Sequence, residues 1–444
     1  MMKVLKNKNF FLLFQGAFVS EIGNMMYNMA MGFFILDITG SPVSFSIFMG
    51  MAILVRVLMS PLAGVMTDRW NRIRIIYITD FIRAIVFIGL AYVIFQGIAG
   101  DSVIFWIYGA TVLSSISAAF FFPAVGSSIP DIVGEANLQA AQGLQGFLMQ
   151  IPGLIGLAFG AALYDLVSIE VIVLINGISF GISGLSEMFI RTPYKKEFVV
   201  LDKSERKPIM QDYVISLKYI KENGLLNMIL FFLVLNFSVV PIVSIAPPVL
   251  FRELLSRANT FEYAGTGMAF GIAAMAGALI VGGMKIKSYR KTIQRGFVGL
   301  GILFAMNALI FHLVVTGQMN YWVFYGIYLG LIVLMALNMS FVNIPVNVGI
   351  TLSIEPEMRG RVFSTIGALS QLGIPFAMII GGFVLEYYSI SLLGLLCVIM
   401  MLVPTLGFIV NKKVRVLLNS LDEKRAAIDL EEENRLEQIK IIKE

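Results

Sequence analysis

Twelve apolar runs, each of roughly 20 residues or more, decide what this chain can become. They span 10–36, 43–66, 75–97, 103–127, 139–164, 169–190, 225–250, 263–284, 296–317, 321–347, 362–385 and 389–411. At about 1.5 Å per residue, such a run wound as a helix crosses about 30 Å of hydrocarbon. Inside hydrocarbon every backbone polar group must find its partner within the protein, so only helices and closed barrels can span it. Alternating ten-residue strands are missing, which argues against a barrel. Apolar residues make up 58% of the chain and charged residues 14%, against about 45–50% and about 25% in soluble domains. The expected fold class is an all-α membrane protein with twelve transmembrane helices.

Lysine and arginine give the orientation. An even number of spans puts both termini on one side. The N-terminal tail, the breaks after spans 2, 6, 8 and 10, and the C-terminal tail hold 29 Lys and Arg, and the opposite loops only Arg252 and Arg257. Basic residues collect on cytoplasmic loops, so both termini are expected in the cytoplasm of a cell-membrane protein. The same rule explains the net charge of +5 without a nucleic-acid partner. The first span is too long for a signal peptide and reads as a retained helix. The charged break separates residues 1–190 from 225–411, six spans each. Residues 191–224 form the linker, where Ile215, Lys218 and Tyr219 fall at helical spacing and predict a surface helix over 209–222. Residues 412–444 form a charged tail.

Four ionisable residues lie inside spans in the first quarter of the chain: Glu21, Arg56, Asp80 and Arg83. A charge at mid-bilayer costs roughly 2.5–3.5 kcal/mol even on the lenient insertion scale. Glu21 is about 16 Å deep in span 1, and Asn24 and Asn28 extend a polar stripe from it. Burial disfavours the charged form of a carboxyl, so an acid that is wet in one conformation and dry in another can load and release a proton. Asp80 and Arg83 share a helix face, at a depth comparable with Arg56 on the neighbouring span. The four are therefore proton-coupling candidates, with a static ion network as the plainer reading. Glu21 could instead grip a cationic solute. The second half has no charge in its spans. Its polar groups, Asn236, Asn338, Asn343 and Gln371, join Asn24 and Asn28 as solute-path candidates. The many Phe, Met and Tyr would suit a cavity for bulky amphipathic solutes.

No G-x-x-x-x-G-K-(S/T) phosphate loop, zinc motif or G-x-S-x-G elbow occurs, so neither an ATP-driven pump nor an enzyme is expected. Single Cys397 and His312 leave no disulfide and little for a metal centre. No cofactor is expected.

The two halves repeat at an offset of roughly 220 residues. GVMTDRWNR (Gly64–Arg72) answers GGMKIKSYR (Gly282–Arg290), and GAALYD (Gly160–Asp165) answers GGFVLE (Gly381–Glu386). Repeats of six spans place a solute path between halves near the midplane. The stretch GVMTDRWNRIR (Gly64–Arg74) resembles the G-x-x-x-D-R-x-x-R-(K/R) signature of the major facilitator superfamily. Gln15-Gly16, Ser20, Gly23-Asn24, LDITGSP (Leu36–Pro42), Asp80 with Arg83, and PEMRGRVF (Pro356–Phe363) look like the macrolide-efflux and enterobactin-exporter branch. The likeness covers about residues 8–410. It implies two pseudo-symmetric six-helix bundles. It also implies that Asp68, with Gly64, Arg69 and Arg72, meets the start of span 11 after Arg361 and latches the cytoplasmic side. Span 5 keeps spaced glycines, Gly153, Gly156 and Gly160, but lacks the proline that follows glycine in the antiporter signature. The role of Glu21 is not inherited from the family.

The expected activity is secondary transport, with proton-coupled export of small amphipathic molecules such as drugs, macrolides or siderophore-like compounds. An importer of the same fold and a non-transporting sensor are the rivals. The expected partners are a small-molecule solute, protons and membrane lipid, and the expected unit is a monomer.

Overall fold

The computed structural model describes residues 2–97, 101–134, 137–192, 209–222, 225–255, 260–284, 288–354 and 359–412, with 286, 416, 418, 419, 422 and 423 beyond them. All regular structure among these residues is helical. A short α1 (Met2–Leu5) precedes six long helices: α2 (Lys8–Thr39), α3 (Pro42–Arg69), α4 (Arg72–Phe95), α5 (Asp101–Val133), α6 (Leu138–Leu166) and α7 (Ile169–Glu187). The linker helix expected over 209–222 is α8 (Ile209–Glu222). A helical rod follows, made of α9 (Leu225–Val240), a π-helical turn (Pro241–Ile245), α10 (Ala246–Val249) and a second π-helical turn (Leu250–Leu254). Then come α11 (Thr260–Gly283), α12 (Tyr289–Val315), α13 (Tyr321–Ser353), α14 (Arg359–Tyr387) and α15 (Ile390–Val410).

Ten of these helices are long and apolar enough to cross a membrane, and α6 adds the shorter apolar stretch Ile151–Leu166. At 32 residues α2 also has the length, but Ser20, Glu21, Asn24 and Asn28 dilute its apolar character. The chain is a multi-pass membrane protein. Its surface agrees: Ile85, Phe95, Phe105, Leu166 and Leu279 are all more than 70% exposed, while Ser46, Asp80 and Asn176 are wholly buried. Polar groups turn inward because lipid cannot hydrogen-bond them.

The helix boundaries follow from local chemistry. At the end of α2, Gly40 adopts φ +58° and its N–H bonds Leu36 O. Left-handed backbone suits glycine and stops the helix. Ser41 then caps α3 by accepting from Ser44 N–H, with Pro42 in the first turn. The TGSP run is thus a stop and a start in four residues. At the other end of α3 the connector is Trp70 and Asn71, and Asn71 caps α4 by accepting from Ile73 and Arg74 N–H. Pro241, Pro247 and Pro248 lie within this rod and could break it. The rod instead continues with widened turns, the response expected when a missing N–H removes one hydrogen bond from the ladder.

Two compact units emerge from the packing. One comprises Met1–Leu201, Val243–Met268 and Pro375–Ser389, and the other Asp202–Ile242, Ala269–Ile374 and Ile390–Glu444. Two segments of the second half therefore group with the first six spans. Within the first unit, α2 packs on α6 and α7, α4 on α5 and α7, and α3 on α5. Two apolar clusters fill it. One gathers Phe10, Leu13, Ile76, Phe121, Val125 and Ile129, and the other Tyr27, Ile35, Phe48, Phe87, Ile107 and Phe180. Along α2, α4 and α7 the charged residues fall between these two plugs. In the second unit α12 packs on α13 and α15, and α9 on α15. Phe297 stacks on Phe408 at 4.4 Å between ring centroids.

Candidate functional site

Four helices, α2, α3, α4 and α7, supply a charged band to the first unit. On α4, Arg83 Nη2 lies 3.0 Å from Asp80 Oδ1, one turn away. The guanidinium is held between two rings, with its Cζ 4.5 Å from the centroids of both Phe121 on α5 and Phe180 on α7. Such cation–π contacts gain strength when desolvated. The last residue of α7, Glu187, is a wholly buried second acid beside this pair. Its Oε1 accepts from Ser183 Oγ at 3.3 Å, and its carboxyl contacts that of Asp80. Close helix approach makes room for this. A Cβ on Gly16 of α2 would stand 2.8 Å from Ser183 Oγ and 3.2 Å from Glu187 Oε1.

Glu21 projects from α2 into a small polar cavity of about 80 Å³ that Asn24, Asn28, Arg56, Arg83 and Thr111 also line. Asn24 lies beside Glu21, and Arg83 and Arg56 are its cationic neighbours. The four ionisable residues singled out from the sequence therefore gather in one region, together with two amides of the polar stripe. Met25 and Asn28 also line a second cavity of about 140 Å³, walled by Met29, Phe33, Met49 and Tyr263. The polar and the Met/aromatic spaces share a wall. The spaced glycines of span 5 bring α6 to the same place: a Cβ on Gly156 would stand 2.4 Å from Met25 Cβ, and one on Gly160 3.1 Å from Met26 Cα.

A second polar cluster closes the opposite end of α2. Asp37 accepts from Arg252 Nε at 2.6 Å and Nη2, and from the Tyr164 hydroxyl. Arg252 also lies over the rings of Phe33 and Tyr164 at 5.7 and 5.4 Å. Nearby, Glu386 of α14 caps the N-terminus of α3, accepting from Val43 N–H at 2.9 Å and from Ser41 Oγ. There α14 crosses α3 closely. A Cβ on Gly382 would stand 2.7 Å from Pro42 O.

Of the residues expected to form the latch, Arg72 and Gly64 have described surroundings. Arg72 donates to Ser127 O and Asp131, both at 2.8 Å, and so pins the start of α4 to the end of α5. At Gly64 a Cβ would meet nothing within 4 Å. The side chains of Asp68, Arg69 and Arg361 lie outside the described residues. Among the second-half amides, Asn236 donates to Ser370 O at 2.6 Å. Asn338 packs on Gly299, while Asn343 and Gln371 are exposed. All four belong to the second unit.

Glu187, Asp37, Arg252 and Glu386 are the functional candidates that sequence reasoning passed over. Glu187 had a signal. Asn176, Ser179, Ser183 and Glu187 recur at spacings of three and four, a polar stripe on one face of span 6. Asp37 and Arg252 had none, since 215 positions separate them. Among the described residues no group of three His, Cys, Asp or Glu could hold a metal ion.

Comparison with known proteins agrees with this architecture. The family model described as Major Facilitator Superfamily matches residues 13–348. The chain is 28% identical over 374 residues to the uncharacterized MFS-type transporter YkuC of Bacillus subtilis, covering 81% of this chain and 82% of that one. It is 23% identical over 373 residues to macrolide efflux protein A of Streptococcus pyogenes, covering 84% and 88%. Among solved structures, the nucleoside transporter NupG superposes with a TM-score of 0.66 at 13% identity, over 90% of this chain and 98% of that one. Helical architecture, apolar spans and the family match lead to one conclusion: this chain is a membrane transporter belonging to the major facilitator superfamily.

Proposed function

We propose that this transporter exports small apolar or amphipathic solutes from the cytoplasm in exchange for protons, with both termini cytoplasmic in the cell membrane. The observation that carries this reading is the shared wall between the Glu21 cavity and the Met/aromatic cavity, formed by Met25 and Asn28. A proton arriving at Glu21 changes the charge beside the space where a solute would sit. The Met-rich lining accommodates varied shapes, because thioethers repack easily. One charge crossing 100 mV is worth about 2.3 kcal/mol, enough to bias two conformations strongly. Similarity to macrolide efflux protein A supports export over import.

In this orientation the Asp37–Arg252–Tyr164 cluster and the Glu386 cap face outward. They tie the rod bearing Arg252, and α14, to α2, α3 and α6. Both contacts would have to part for a solute to leave. The latch residues Gly64, Asp68, Arg69, Arg72 and Arg361 would act at the cytoplasmic end, and Asn236, Asn338, Asn343 and Gln371 would complete the path.

Efflux of a dye and antibiotic panel from cells expressing the chain tests this, with and without a protonophore. At least one amphipathic compound should be retained less by these cells, and the protonophore should abolish that difference. Equal retention across the panel, or efflux indifferent to the protonophore, contradicts the reading.

A further inference from the structure

The innermost part of the charged band does not balance. Asp80 and Glu187 are both wholly buried, Arg83 is 3% exposed, and these are two acids against one base. An uncompensated buried charge is strongly destabilising. Other charged groups nearby do not supply the missing positive charge. From α2 comes another acid, Glu21, which neighbours Arg83 as well as Arg56 of α3, so Arg56 is already offset by Glu21. Arg72 of α4 is engaged by Asp131 of α5.

Hydrogen bonding points the same way. Arg83 Nη2 stands 3.0 Å from Asp80 Oδ1 without completing a well-formed hydrogen bond, Asp80 Oδ2 has no donor, and Glu187 Oε2 lacks one too. Yet the two carboxyls are in contact. Two carboxylates offer only acceptors, and their contact becomes attractive when one carries a proton and donates it to the other. A buried acceptor without a donor costs about 1–3 kcal/mol. A single proton removes both faults at once. It leaves one carboxylate facing one guanidinium and supplies the absent donor.

We propose that Asp80 and Glu187 bind one exchangeable proton between them, a proton site separate from Glu21. Proton uptake forms one O–H bond on either carboxyl, and the other carboxylate accepts it. Release returns the proton to water and leaves a net charge of −1 around Arg83. Arg83 also neighbours Glu21, so it would transmit the state of the buried pair to the solute-facing cavity. The use of this site in coupling rests on the proposed proton-driven transport, but proton binding by the pair does not.

Infrared difference spectroscopy on the purified full-length protein in lipid nanodiscs reads the site without any transport. A Glu21→Gln background removes the other acid that lines a cavity. At neutral pH this protein should show the C=O stretch of a protonated carboxylic acid, lost on raising the pH. Glu187→Gln and Asp80→Asn each leave one acid and one arginine, so each should fold and each should lose that signal. A protonated-carboxyl signal that survives in either variant overturns the proposal. Its absence at neutral pH, both in the wild type and in the Glu21→Gln background, overturns it without recourse to the pair variants.

Discussion

The two polar clusters of the first unit differ in how completely they satisfy themselves. In the outer cluster, Asp37 receives two donors from Arg252 and one from Tyr164, and Glu386 receives two from the start of α3. Its ion pair keeps contact with solvent, at 30% and 17% side-chain exposure. The inner cluster has side chains exposed 0% for Asp80 and 4% for Arg83, and three of its four carboxyl oxygens lack a well-formed hydrogen bond, Glu187 Oε1 alone accepting from Ser183. Water can complete the first. A proton shared by the two acids would balance the second. An ion pair at a wet edge is a contact that can open and close at small cost, whereas a dry, under-supplied cluster responds to protons.

The largest effect is expected at the dry cluster. Arg83→Met removes the only base between Phe121 and Phe180 and leaves two buried acids. Stability to thermal unfolding should fall by about 3–5 kcal/mol. A loss below about 1 kcal/mol would mean that both acids are already neutral, and the contrast between the clusters would fail. Next comes the close crossing of α14 on α3. Gly382→Val forces side-chain atoms against Pro42 O and Ser46 and should destabilise this packing by about 1–3 kcal/mol. Labelling of a cysteine placed at Ser41 by a membrane-impermeant thiol reagent should rise accordingly. The same readout applies to Asp37→Asn. A partly exposed pair contributes about 1 kcal/mol or less, so labelling should rise by no more than about fivefold. Smallest is Glu386→Gln, which keeps an acceptor on the α3 terminus and loses only the charge, about 0.3–1 kcal/mol. If Asp37→Asn proved as damaging as Arg83→Met, the outer cluster would be as dry as the inner one.

Much of this was legible from hydropathy and helical periodicity. Apolar runs gave the spans, whereas the caps at Gly40–Ser41–Pro42 and Asn71 emerged with the structure. Glu21, Asn24 and Asn28 share a face because the helix repeats every 3.6 residues, and the structure places all three on one cavity. Periodicity reads faces but not neighbours. It put Asp80 and Arg83 together and could not show Phe121 and Phe180 enclosing the guanidinium. Glu187 lies at the end of a span, where an acid passes for an interfacial residue. Its burial depends on α2 coming close at Gly16, a tertiary fact. The pairing of Asp37 with Arg252 depends on which helix ends meet, which neither segment encodes alone. Arg72 illustrates the reverse: the family signature marks it clearly, while its partner Asp131 sits on α5, outside the motif.

The central claim is that acids in the first six helices couple protons to solute movement. Its most direct test is solute accumulation in reconstituted vesicles under an imposed pH gradient, for the wild type and for Glu21→Gln, Asp80→Asn and Glu187→Gln. The account predicts gradient-driven accumulation by the wild type, and downhill exchange without accumulation by each variant. Undiminished accumulation in all three variants would contradict it.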